Sequence, residues 1–211
     1  MSVTGSNAVQ ILVLVGGLTL IPALLFTVTG FTRIVIVLSF VRTAIGTQAE
    51  PPNQVLVGIA IFLTLFVMAP TVSAIKQDAW EPLEHHQIST TAALKAAEEP
   101  MRQFMFKQTR STDIALFINL AHLPAPKTEA QVPTYVLVPS FITSELKTAF
   151  QIGFLIFLPF LIIDIVVSTT LMSVGMIMLP PTFISLPFKI LLFVLVDGWD
   201  LIIHSLVLSF H

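Results

Sequence analysis

Four charged side chains stand inside otherwise apolar stretches of this 211-residue chain: Arg33, Asp164, Lys189 and Asp197. A charge at the centre of a membrane helix costs roughly 2.5–3.5 kcal/mol on insertion scales, so each needs a reason. Two reasons fit. The charges pair with one another or with neighbouring subunits, or they handle a proton or an ion. Asp164 and Lys189 flank a break in the apolar sequence, and a hairpin folding back there would bring them together. Asp164 and Asp197 are the one plausible pair of carboxyls for activating water through a shared proton. Asp164 sits in "LIIDIVV", however, without the glycine-rich sequence that supports such a dyad. His85 and His86 follow Glu81 and Glu84 in "EPLEHH". Adjacent histidines project in different directions on a helix, and the H-E-x-x-H spacing is absent, so this reads as a solvated loop and not a zinc site. Cysteine is absent, which removes disulfides, thiolate metal sites and cysteine nucleophiles. There is no P-loop, nucleophile elbow or dinucleotide fingerprint. The expectation is a protein without catalysis, cofactor or metal.

A second group is apolar. "TTLMSVGMIMLPPTFISLP", Thr169 to Pro187, holds Met172, Met176 and Met178 with Gly175, Pro180, Pro181 and Pro187. Methionine is unbranched and adapts to irregular shapes. Met172 and Met176 are four apart, which stacks them on one helix face, before the Pro180–Pro181 stop. Read from one chain, this is a greasy loop in a core or bilayer. Repeated around a symmetry axis, it would be a ring of soft apolar side chains that seals a pore yet yields to a polypeptide.

The elements that must position these residues follow from composition. The chain is 55% hydrophobic and 10% charged, where a soluble domain carries about a quarter charged residues. Its surroundings are lipid or other protein. The formal charge of −2 gives no basic footprint for nucleic acid. Fifteen of the twenty-two charged residues fall between Lys76 and Lys147. Three regions result: an N-terminal hydrophobic helical hairpin (1–75), a polar helical insert (76–139) and a C-terminal hydrophobic helical hairpin with the methionine stretch (140–211).

The first apolar run, Val9 to about Val28, is long enough to span a bilayer and reads as an anchor or core helix. It has neither the basic n-region nor the small-residue cleavage site of a signal peptide. Ile34 to Phe40, bracketed by Arg33 and Arg42, is too short to span. It forms a re-entrant or interfacial helix, or extends the first helix. The second long run is Val55 to Ala74. In the insert, Pro100 suits the first turn of a helix with Glu98 and Glu99 at its positive end, and Ser111 or Thr112 suits an N-cap. Helix resumes near Ser140, which gives four long hydrophobic helices. Arg33 and Arg42 place the first connection in the cytoplasm and the insert outside. Pro22, Pro70, Pro159, Pro180, Pro181 and Pro187 interrupt or flank the apolar helices. The carbonyls freed by internal prolines need partners from protein or a water-filled cavity, so these helices pack on subunits or line a pore.

The stretches "FTRIVIVLSFVRTAIG", "PPNQVLVGIAIFLTLFVMAP", "MRQFMFKQTRSTDIALF", "SELKTAFQIGFLIFLPFLIIDIVV" and "VGMIMLPPTFISLPFKILLFVLVDGW" run through most of the chain. In that order they resemble the FliP family of the flagellar type III protein export gate. The resemblance implies an all-α membrane protein, one subunit of a helical multi-subunit pore at the centre of the basal body, in the bacterial inner membrane. It implies a homo-oligomer, pentameric, assembled with FliQ-like and FliR-like subunits and completed by FlhB-like and FlhA-like proteins. Unfolded flagellar substrates would pass along the axis. The apolar helices would lie largely above the bilayer plane against neighbouring subunits. Met172, Met176 and Met178 would occupy the family's pore seal, with the helix break at Gly175, Pro180 and Pro181. Family members usually begin with a cleavable signal peptide, and this sequence departs from that. "FTRI", the insert with "QTR" and "SLPFKILLFVLVDGW" look flagellar. The alternatives are the SctR-type subunit of a virulence secretion system, an ion-coupled small-solute transporter using Asp164 and Lys189, and an intramembrane protease using Asp164 and Asp197.

Overall fold

The computed structural model describes residues 26–47, 49–176 and 178–210. Nearly all of the first apolar run, with Pro22, lies outside them. The described residues are helical throughout, without a strand. Helix α1 spans Phe31–Ile45 and α2 spans Asn53–Ile75. Helix α2 continues through a π-helical turn, Lys76–Trp80, and a last turn, Glu81–Glu84. Helices α3 (Thr90–Gln108) and α4 (Ser111–Leu120) follow. Helix α5 runs from Thr134 to Ser173, α6 from Pro181 to Leu195 and α7 from Gly198 to Leu208.

Helix α1 is the centre of the molecule. Its apolar residues recur at helical spacing, so Ile34, Val37, Leu38, Val41, Ala44 and Ile45 form one stripe, and all are buried. The stripe packs mainly on α5 and also on α2. Within the described residues the short run forms a buried core helix, Phe31–Ile45. Gly46 ends it with φ 86°, donating to the carbonyls of Arg42 and Thr43 at 3.2 Å. Arg42 binds Asn53 Oδ1 at 2.6 Å and fixes the connection to α2.

Helix α5, 40 residues long, is about 60 Å at 1.5 Å per residue. Its N-terminal half buries Val136, Leu137, Phe141, Ala149 and Gly153 on one side. Its most apolar stretch is only 11% buried inside the chain. Phe154, Leu155, Ile162, Ile165 and Val166 are left exposed, and something apolar must cover them. Among the described residues, two helical segments are long and apolar enough to cross a membrane, Asn53–Glu84 and α5. Helices α6 and α7 meet that test only as a pair, bent by 64°.

Several boundaries differ from the sequence reading. Helix runs straight through the position between 75 and 76 where the charge begins. It resumes at Thr134, not near Ser140, with Pro139 inside it. Burial of Val136 and Leu137 outweighs the local cost of that proline. Pro100 lies deep in α3, which starts ten residues earlier because Ser89 caps it, its hydroxyl accepting from the Ala92 N–H at 3.3 Å. Helix α4 already includes Ser111 and Thr112, and the residue before it is Arg110.

Candidate functional site: two internal ion pairs and an exposed methionine turn

Arg33 is 2% exposed and Glu145 fully buried. The stripe that buries Val37 and Val41 carries Arg33 inward one turn earlier, toward α5. There its Nε donates to Glu145 Oε2 at 3.0 Å and its Nη2 to Glu145 Oε1. Nη2 also donates to Gln108 Oε1 at 2.9 Å, at the end of α3. Nη1 donates to the Ser209 carbonyl at 2.7 Å and to Ser209 Oγ at 3.1 Å, just past α7. The guanidinium lies 3.9 Å from the centre of the Phe210 ring. One planar fork thus joins α1, α3, α5 and the segment after α7, a task suited to arginine and not to lysine. Among the described residues, no buried side-chain nitrogen or oxygen lacks a partner.

Asp164 and Lys189 meet across the α5–α6 hairpin, with Lys189 Nζ 2.6 Å from Asp164 Oδ2. Ser185, one turn before Lys189, donates to Asp164 Oδ1 at 2.6 Å. Lys189 is nearly buried. A Cβ on Gly46 would lie 3.8 Å from its ammonium, so the charge sits at the negative C-terminal end of α1. The register that the sequence left open is therefore the one in which these two charges pair.

Asp197 differs from its expected setting. It is exposed on this chain and sits at the α6–α7 bend with φ 50°, not inside an apolar helix. The bend forms because Phe193 packs across Gly198, where a Cβ would lie 2.4 Å from the ring. No described hydrogen bond joins Asp197 to Asp164, whose carboxylate is already held by Lys189 and Ser185. His85 and His86 are exposed, directly after the last turn Glu81–Glu84.

Sequence reasoning missed both fully buried acids, Glu145 and Asp113, the latter in α4. Ser144 donates to its Oδ2 at 2.7 Å and Lys147 to its Oδ1. Burial pushes this carboxyl upward. The hydrogen bonds from Lys147 and Ser144, with the charges of Lys147 and Arg110, outweigh that and hold it below its ordinary value of 3.8. A lowered carboxyl stabilises the fold at pH values above its unfolded value, and the contribution is lost as pH falls through the folded one. Unfolding in mild detergent is expected to show Asp113→Asn less stable than the parent at neutral pH. The two should converge as pH falls through the lowered folded value, once the parent's carboxyl is protonated. A constant gap across that range would mean Asp113 acts by shape alone.

The methionine stretch forms the tip of the α5–α6 hairpin. Helix α5 stops at Ser173 because Gly175 adopts φ 81°. Its N–H bonds to the Met172 carbonyl at 3.0 Å, and the Met176 N–H reaches back to Leu171 at 3.0 Å. This double closure is a Schellman stop, which favours glycine at its left-handed position. Met176 therefore lies beyond the helix, not stacked above Met172. Pro180 caps α6 and Pro181 opens it, so the second helix starts immediately after the turn. Met172, Met176 and Met178 are 65%, 45% and 98% exposed, whereas Met68 and Met105 are buried.

These features define an all-helical membrane protein, clamped internally by buried charge pairs and carrying a broken apolar hairpin with a thioether tip. The FliP family model matches residues 14–206, and the chain belongs to that family. It is 58% identical over 205 residues to the flagellar biosynthetic protein FliP of Bacillus subtilis, covering 97% of this chain and 93% of that one. To the protein of the same name from Pectobacterium carotovorum it is 55% identical over 204 residues, 97% and 79% of the two chains. To that of Borreliella burgdorferi it is 46% identical over 215 residues, 99% and 85% of the two.

Proposed function

We propose that this chain is the pore-forming subunit of the flagellar type III protein export gate, in the bacterial inner membrane at the basal body. Several copies would assemble with FliQ-like and FliR-like subunits, and FlhB-like and FlhA-like proteins would complete the gate. Unfolded flagellar proteins would pass along the axis, driven by those partners and the proton motive force. The chain itself carries out no catalysis. Its relatives' name supports the flagellar role. The observation that carries the pore reading is the methionine turn: three flexible apolar side chains held outward at a rigid helix break, on a helix whose apolar outer face is uncovered. Around an axis, such turns make a deformable, water-excluding collar.

Met172, Met176 and Met178 replaced together by Ala should raise the ion conductance of membranes containing the assembled gate, because the truncated side chains no longer close the axis. Unchanged conductance in that variant would sink the seal. An ion-coupled solute transporter would instead need a carboxylate free to exchange its partner, and both Asp164 oxygens are occupied by Lys189 and Ser185.

A further inference from the structure

Among the described residues the methionines range from buried through the half-buried Met101 to exposed. Met68 and Met105 are 4% and 3% exposed and belong to the core. Met172, Met176 and Met178 project from the hairpin turn, with Met178 at 98% the most open. An exposed apolar collar could be built from leucine or isoleucine, and both types crowd the neighbouring helices. Methionine differs from them in having an oxidisable sulfur.

We propose that the turn is a site of selective, reversible methionine oxidation by peroxides, and that oxidation there opens the seal; this second part rests on the pore reading above. The thioether sulfur attacks one peroxide oxygen. The O–O bond breaks, the sulfur gives up two electrons and gains that oxygen as a sulfoxide, and the other oxygen leaves as water after proton transfer. No protein base is needed. The sulfoxide is polar and accepts hydrogen bonds. In a ring of such turns it would draw water into the gap that the thioethers exclude. The core methionines are spared because they meet oxidant only when the surrounding structure opens. The turn is held outside the chain's own core by its backbone, through the left-handed Gly175 and the prolines that start α6, so its sulfurs can meet oxidant without unfolding of the chain.

The test uses the assembled gate in membranes, treated with dilute hydrogen peroxide and read by peptide mass and by ion conductance. Met178 is expected to oxidise first, at least about tenfold faster than Met68 or Met105, with Met172 and Met176 following. Conductance should rise with sulfoxide content and fall again after methionine sulfoxide reductase. The M172L/M176L/M178L variant keeps the apolar bulk and should remain closed under peroxide. Oxidation of the turn no faster than of Met68 and Met105 would overturn the site, whatever the Ala variant does. Selective oxidation without a leak, in a gate whose Ala variant does leak, would leave the seal standing and overturn oxidation as its opener. Selective oxidation with neither leak would remove the seal and, with it, the opening.

Discussion

Truncating Glu145 to alanine is expected to destabilise the chain by about 3–5 kcal/mol, the cost of leaving a buried charge without its counter-ion. Arg33 has no route to water, being 2% exposed, and its remaining acceptors are neutral: Gln108 Oε1, the Ser209 carbonyl and the Ser209 hydroxyl. The loss would not stay local. Gln108 also donates to the Phe210 carbonyl at 2.9 Å, and the Phe210 ring packs under the guanidinium and beside Phe104, so the segment after α7 should loosen with the pair. Arg33→Lys should also be costly, since an ammonium cannot match the planar fork that reaches acceptors on Glu145, Gln108 and Ser209 together. Replacing both charges, Arg33→Met with Glu145→Leu, should recover much of the stability, because it removes both desolvation penalties. Thermal unfolding in mild detergent measures all of these. A Glu145→Ala variant within about 1 kcal/mol of the parent would mean the site is wet, as exposed pairs contribute no more than that.

Gly153→Ala is expected to cost about 1–3 kcal/mol, the range for overpacking a closed core. Here α5 packs directly against Phe40 of α1. A Cβ on Gly153 would lie 2.5 Å from Phe40 Cδ2 and 3.1 Å from Phe40 Cβ. Rotating the ring cannot relieve a clash that reaches its root, so the helices must separate. The ring is also held edge-on against Phe150, with centroids 5.4 Å apart. The same substitution at Gly58 in α2 meets nothing within 4 Å and should gain roughly 0.5–1 kcal/mol from helix propensity alone. Opposite signs at these two glycines, in one unfolding assay, would establish that contact and not propensity decides the first. Combining Gly153→Ala with Phe40→Ala should cost less than the sum of the two single changes. Strict additivity would argue that the two side chains do not meet.

What the sequence made legible was the set of costs, and what it hid was most of the partners. Asp164 and Lys189 stood out because each is a charge in a greasy run, and a chain folding back at the break between them would bring them together. Arg33 stood out for the same reason, but Glu145 did not. It sits in "SELK", which reads as an ordinary polar helix turn, and its buried partner Arg33 comes from α1, 112 residues away in sequence. Asp113 hid in the same way behind the exposed Lys147. The methionine turn was visible from its glycine and prolines. That Met176 leaves the helix was not, since a spacing of four says nothing about where the helix stops. Proline misled twice, at Pro100 and Pro139, where tertiary burial overrode a local rule. Asp197 looked buried because its neighbours are apolar, and it proved to mark a bend.

One consequence of α5 remains. It is about 60 Å long, twice the roughly 30 Å hydrocarbon thickness of a bilayer, and it carries Glu145 near one end and Met172 at the other. The clamp and the tip are therefore two ends of a single strut. Whatever tilts the polar end must swing the tip, as a lever turns displacement into motion at its far arm. Pro159 removes one rung of backbone bonding between them, yet the helix continues unbroken through it. A displacement of the polar end would in this way be carried along α5 to the methionine turn.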